Sequence, residues 1–159
     1  MDAPRTSFDY GRLGGTSGFR VLVADDHPTN RRLFNAIFGS CGCSVTVAED
    51  GAEAIALALS QDFDLICLDR HMPHLSGDEV AERLCSQAGP RPFLVLCTSD
   101  PRPHEGPNWF NAELTKPVRP QEVVDVIVEA LRFRRSRPRG GGDRARAVEG
   151  SAAGRAEAS

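Results

Sequence analysis

No stretch of this sequence approaches the ~20 consecutive apolar residues that a membrane-spanning helix needs, so no membrane insertion is expected. The first 18 residues hold Phe8, Tyr10 and Leu13 but no apolar run of h-region length, which argues against a secretory leader. Cysteine is sparse and lacks pattern. The five, at positions 41, 43, 67, 85 and 97, are odd in number and form no CxxC and no Cys/His zinc spacing. Cys67 and Cys97 lie inside apolar runs, where a thiol behaves as a small hydrophobe. Reduced core cysteines of a cytoplasmic protein are the expectation. No internal repeat is present. A strong excess of charge is also missing, since the net charge is −3. It is unevenly spread: residues 134–159 carry seven Arg against Asp143, Glu149 and Glu157, a surplus of +4, which leaves −7 on the body. A mildly acidic body argues against a nucleic-acid-binding domain. The Arg-rich tail holds no base-reading element, so specific DNA recognition is not expected, and it reads as a solvated charge run.

What is present is an alternation of strands and helices. Residues 1–18 form a lead-in rich in Gly, Ser and Thr that is expected to be disordered. Phe19 to Asp25 is short, β-branched and apolar, the pattern of a buried strand. Pro28 suits a first helical position, and Leu33, Phe34, Ile37 and Phe38 supply a helical stripe ending near Gly39 and Gly42. Cys43 to Ala48 is a second strand. Asp50 and Glu53 have cap spacing, with Ile55, Ala58 and Leu59 as the apolar face of the next helix. Phe63 to Leu68 is a third strand, followed by a capping box at Ser76 and Glu79 and by Val80, Ala81 and Leu84. Phe93 to Cys97 and Ala112 to Thr115 are two further strands. Pro120 opens a last helix faced by Val123, Val124, Ile127, Val128 and Leu131.

This order predicts an α/β fold with a parallel sheet covered on both faces, wound in both directions from its centre. One connection departs. Pro101, Pro103, Gly106 and Pro107 cannot lie inside a helix, so the helix expected between the fourth and fifth strands is degenerate. The segment 100–110 is read as a mobile loop that phosphorylation or a partner would order. From Arg134 onward the tail is expected to be disordered.

In an open parallel sheet the chemistry gathers at the carboxyl ends of the strands. Here those ends read Asp25-Asp26, Asp69, Thr98 and Lys116. Three adjacent carboxylates require a counter-charge, and a hard divalent ion with oxygen ligands such as Mg²⁺ meets that need. Lys116 adds a positive charge and Thr98 a hydroxyl donor. A carboxylate can attack phosphorus as a nucleophile, with the metal and lysine stabilising the transferring group. The set suits acceptance of a phosphoryl group, and no insertion builds a pocket for a large substrate. His27, His71 and His74 lie near this rim, but no metal-site spacing groups them, so a transition-metal site is not expected.

The stretches Val21-Leu-Val-Ala-Asp25-Asp26-His27-Pro28, Leu68-Asp69-Arg70-His71-Met72-Pro73, Thr98-Ser99 and Thr115-Lys116-Pro117 resemble the signatures of response-regulator receiver domains in two-component signalling. The resemblance covers residues 19–133. Residues 26–31 are closest in motif to receivers of hybrid histidine kinases. The resemblance implies a doubly wound, five-stranded, flavodoxin-like fold. It implies that Asp69 is the phosphoacceptor, with Mg²⁺ bound directly by Asp26, Asp69 and the backbone carbonyl of His71, and by Asp25 through water. Thr98 and Lys116 would contact the phosphoryl group, and Met72, Pro73 and Gly77 match the loop after the acceptor strand. The implied partners are a sensor histidine kinase or a histidine phosphotransfer protein, and a downstream protein. With no room for an output domain after Leu131, a stand-alone, non-enzymatic response regulator is expected. An Asp-nucleophile phosphatase would want a second acid two residues after the nucleophile, where His71 stands instead. A phosphorylation-independent interaction module is the other reading. Glu113 departs from the family, which usually carries an aromatic residue or His three positions before the Lys. Trp109 and Phe110, nearby, are read as core or loop anchors.

Overall fold

A computed structural model describes residues 15–100 and 107–136 of the chain. Five strands form one sheet: β1 (Arg20–Ala24), β2 (Ser44–Ala48), β3 (Leu65–Asp69), β4 (Phe93–Thr98) and β5 (Ala112–Thr115). All pairings are parallel, in the order β2-β1-β3-β4-β5. The helices are α1 (Pro28–Ser40), α2 (Gly51–Ser60), α3 (Gly77–Cys85) and α4 (Pro120–Ser136). From β1 the chain winds outward to β2 and then returns across β1 to β3. The winding therefore reverses between β1 and β3, where such sheets open a crevice at their carboxyl ends. The predicted doubly wound parallel sheet is the fold observed.

Strand alternation sorts the core onto two faces. In β1, Val21 and Val23 pack with α1 residues Phe34, Ile37 and Phe38 and α4 residues Val123, Ile127 and Leu131. Leu22 and Ala24 point the other way, to Ala54 of α2 and Val80, Ala81 and Leu84 of α3. β3 and β4 are buried along their whole length, as central parallel strands are. All five cysteines are buried and free. Burial pushes the Cys43 thiol up to about 12 and raises Cys41 and Cys85 as well, so these three thiols are poor nucleophiles at neutral pH.

Local signals set the helix starts. Pro28 occupies the first turn of α1. The Asp50 side chain accepts from the Glu53 N–H at 2.8 Å. Ser76 and Glu79 form the full capping box. Two apolar residues leave the expected stripes. Leu33 and Leu59 are exposed, because a 100° step per residue turns them away from the sheet-facing rows, Phe34–Ile37–Phe38 in α1 and Ala54–Ala58 in α2. Pairing in β3 begins at Leu65, two residues later than read, since the carbonyl and carboxylate of Asp64 bracket the strand end by accepting from Phe93 N and Arg20 N. At the amino end, Thr16 is buried and its carbonyl accepts from Phe19 N. At the other end α4 runs to Ser136, three residues into the expected tail.

No helix lies between β4 and β5 among the described residues. The heart of the proline-rich loop, 101–106, lies outside them, as do 1–14 and 137–159. Trp109 and Phe110 pack on the second core, as loop anchors. Among the described residues, no helix is long and apolar enough to cross a membrane.

Candidate functional site

The strand ends converge as the sequence pattern requires. Asp25 follows β1 directly, Asp69 ends β3, Thr98 ends β4 and Lys116 follows β5. Lys116 Nζ bonds Asp25 Oδ2 at 2.9 Å and lies 3.3 Å from Asp69 Oδ2. The two carboxylates are nearly sealed, with 2% and 6% of their side chains exposed, while Lys116 keeps 19%. Oδ1 of Asp25 accepts from the His27 N–H at 2.9 Å and from Asn30 Nδ2 at 3.4 Å. Arg31 Nη1 donates to the Asp25 carbonyl at 2.8 Å and so ties the turn to α1. Asp26 is half-buried at the rim, its Oδ1 2.8 Å from His27 Nδ1.

Burial raises the Asp69 carboxyl above its ordinary value, helped by the Asp25 charge and opposed by Lys116 and by a hydrogen bond from His71 N. Burial alone would lower Lys116, but the hydrogen bond to Asp25 and the charges of Asp25 and Asp69 outweigh it and hold the ammonium above its ordinary value. One ammonium faces three carboxylates. The surplus negative charge and the all-oxygen carboxylate donors fit a hard divalent cation. Ligand atoms of Asp25, Asp26, His27 and Asp69 all lie within 4.8 Å of one another.

The expected residues therefore meet, with one qualification for Thr98. Its buried hydroxyl bonds Asp100, accepting from the backbone N–H at 3.0 Å and donating to the carbonyl at 3.2 Å. Spacing did not group His27 with the acids, but the turn before α1 brings its ring to them. His71 and His74 present exposed side chains; His71 N–H points to Asp69 Oδ1 at 3.4 Å. Gly77 has a steric reason the sequence did not disclose. A Cβ there would collide with the Asp69 carbonyl oxygen, so only glycine lets the first turn of α3 pack against the end of β3.

Residues 21–128 match the family model of the response regulator receiver domain. The chain belongs to that family. This receiver is 31% identical over 107 residues to the sensor protein EvgS of Escherichia coli O157:H7, covering 67% of the chain but 9% of that protein. It thus spans about a tenth of the length of that relative. Among solved structures it resembles the receiver domain of sensor histidine kinase PA1611 from Pseudomonas aeruginosa PAO1, which has a magnesium ion coordinated in its active site cleft. The TM-score is 0.66 and the identity 26%, over 72% of this chain and 98% of that one. It also resembles response regulator TrrA from Thermotoga maritima, in complex with Mg²⁺ and BeF. There the TM-score is 0.64 and the identity 27%, over 70% of this chain and 98% of that one. The resemblance stated from the four motifs is borne out. Receiver domains of two-component signalling are typically phosphoacceptors without enzymatic activity of their own.

Proposed function

We propose that this receiver accepts a phosphoryl group on Asp69 from a histidine kinase or a histidine phosphotransfer protein in the cytoplasm. It then signals by passing the group on or by binding a partner protein, without catalysing another reaction. The observation that carries this reading is the pair of sealed carboxylates, Asp25 and Asp69, bracketing Lys116 Nζ beside the more open Asp26. Asp26, Asp69 and the His71 carbonyl would hold Mg²⁺ directly and Asp25 would hold it through water. When bound, the ion supplies positive charge against the phosphoryl oxygens.

The chain's own groups do the rest. A carboxylate oxygen of Asp69 attacks phosphorus in line. The new O–P bond forms as the donor's P–N bond breaks, and the donor histidine keeps the electron pair and takes up a proton. The raised proton affinity of Asp69 reflects its desolvation, and a desolvated carboxylate is the stronger nucleophile once ionised. Lys116 already lies beside that carboxylate and would pair with the charge the group brings. Thr98 would turn its hydroxyl to a phosphoryl oxygen.

The test is incubation with Mg²⁺ and acetyl phosphate, followed by intact-mass measurement. A gain of one phosphoryl group is expected, absent in Asp69→Asn and absent when EDTA removes the metal. No adduct under any condition would favour an interaction module that does not handle phosphate. An adduct that persists in Asp69→Asn would move the acceptor elsewhere.

A further inference from the structure

His27 stands in the turn from β1 into α1, immediately after Asp25 and Asp26. Its backbone is held on both sides. Its N–H donates to Asp25 Oδ1 at 2.9 Å, and its carbonyl accepts from Arg31 N at 3.1 Å. Its backbone is extended, with φ −93° and ψ 118°, the conformation that a following proline favours. The residue occupies the capping position of α1, yet its side chain makes no capping bond. The ring turns to the acids instead: Nδ1 lies 2.8 Å from Asp26 Oδ1 and 3.6 Å from Asp25 Oδ1. With 69% of the side chain exposed, core packing is not what holds it there.

These spacings are those of neighbouring ligands on one ion. In an octahedral shell with bonds of about 2.1 Å, adjacent donor atoms lie about 3.0 Å apart and opposite ones about 4.2 Å. The two distances from the ring nitrogen bracket the first figure. Donor atoms of Asp25, Asp26, His27 and Asp69 all fall within 4.8 Å, close to the second; His71 and His74 are not part of that group. Mg²⁺ keeps oxygen ligands and gives up water reluctantly, so an imidazole adds little to its binding. First-row transition ions accept imidazole nitrogen beside carboxylate oxygen, and such mixed sites bind them more tightly along the series that begins with Mn²⁺.

We propose that His27 Nδ1 is a further ligand of the cation site, so that the site takes a divalent transition ion such as Mn²⁺ with nitrogen coordination and in preference to Mg²⁺. The inference rests on the cation site at Asp26 and Asp69 proposed above and deepens it by naming the class of ion.

The test uses the full chain freed of metal with EDTA and dialysed. Mn²⁺ and Mg²⁺ affinities are measured by calorimetry, and the Mn²⁺ complex by pulsed electron paramagnetic resonance, in which a directly bound imidazole nitrogen modulates the echo. Wild type is compared with His27→Ala, His27→Asn and Asp26→Asn. The first two substitutions replace an exposed ring that makes no cap, so the fold is retained. His27→Asn keeps an N–H donor near Asp26 but no ligand nitrogen, which separates ligation from hydrogen bonding. Nitrogen modulation is expected in wild type and in neither His27 variant. An outer-shell partner is worth about 10- to 100-fold in metal affinity, so loss of a direct ligand is expected to weaken Mn²⁺ at least about tenfold, with Mg²⁺ little changed. Absence of nitrogen modulation in wild type, or its persistence in His27→Ala, would overturn the proposal while leaving the acidic site standing. Equal losses of Mn²⁺ and Mg²⁺ in His27→Ala, restored by His27→Asn, would also overturn it and make the ring a positioning residue for Asp26. If wild type binds neither ion, or Asp26→Asn binds both as well as wild type, the cation site itself falls and this inference with it.

Discussion

Lys116→Met removes the ammonium from between two sealed carboxylates and leaves a side chain of similar volume. Both contacts are close, 2.9 Å to Asp25 and 3.3 Å to Asp69. Removing one partner of a buried ion pair costs about 3–5 kcal/mol, because the remaining charge stays buried. Lys116 retains some exposure, which sets the expected loss at the lower end, about 3 kcal/mol. With a urea slope of about 1.5 kcal/mol/M, the unfolding midpoint of the metal-free chain falls by about 2 M at pH 7. The pH dependence follows from the two shifts. The Lys116 value is raised on folding, so its contribution is complete below the unfolded lysine value and is lost as pH rises through the higher folded value. On the acid side the pairing needs ionised carboxylates, and Asp69, itself raised, takes up its proton as pH falls through a value above 3.8. The gap between wild type and Lys116→Met is therefore widest between these limits and narrows on both sides. Mg²⁺ narrows it too, since a bound cation replaces the lost charge. Urea unfolding at several pH values, with and without Mg²⁺, measures all of this. A loss under about 1 kcal/mol at pH 7, the worth of an exposed pair, or a gap that does not vary with pH, would refute the reasoning.

Asp69→Asn works in the opposite direction. Because the folded state raises the Asp69 value, the group stabilises folding only in its protonated form, below the unfolded carboxyl value. That contribution is lost as pH rises through the folded value, so at pH 7 the ionised carboxylate is a cost. The variant is expected to unfold at higher urea than wild type in EDTA, with the difference shrinking in saturating Mg²⁺; an unchanged or lower midpoint in EDTA would contradict this. Gly77→Ala forces a methyl group against the Asp69 carbonyl and should destabilise the chain by about 1–3 kcal/mol, read by the same unfolding curves. A neutral result would show that the α3 turn relaxes freely. Ser76→Ala removes one arm of the capping box and should cost about 1 kcal/mol while leaving phosphorylation by acetyl phosphate unchanged.

The sheet was legible because its strands are short apolar runs separated by capped helices, and because parallel strands buried on both faces need no alternation to be recognised. That Asp25, Asp26, Asp69, Thr98 and Lys116 gather at one rim was legible for a related reason: once the strands are placed, their carboxyl ends must lie side by side. What stayed hidden depends on rotation and on contacts between distant loops. Leu33 and Leu59 are apolar but sit one helical step off the rows that face the sheet. His27 joins the acidic cluster through the turn before α1, which no spacing rule encodes. Gly77 matches a family pattern in the sequence, and its steric cause appears only where α3 meets the end of β3. Arg70 reaches Asp100 across 30 positions of sequence, and a single arginine after an aspartate carries no sign of that.

The most direct test of the central claim locates the phosphoryl group. The chain is phosphorylated with acetyl phosphate in Mg²⁺ and reduced with borohydride, which converts an aspartyl phosphate to homoserine, and its peptides are then sequenced by mass spectrometry. Homoserine at position 69 and at no other aspartate is the predicted result. Homoserine at 25 or 26, or none at all in a chain that still binds Mg²⁺, would contradict the account.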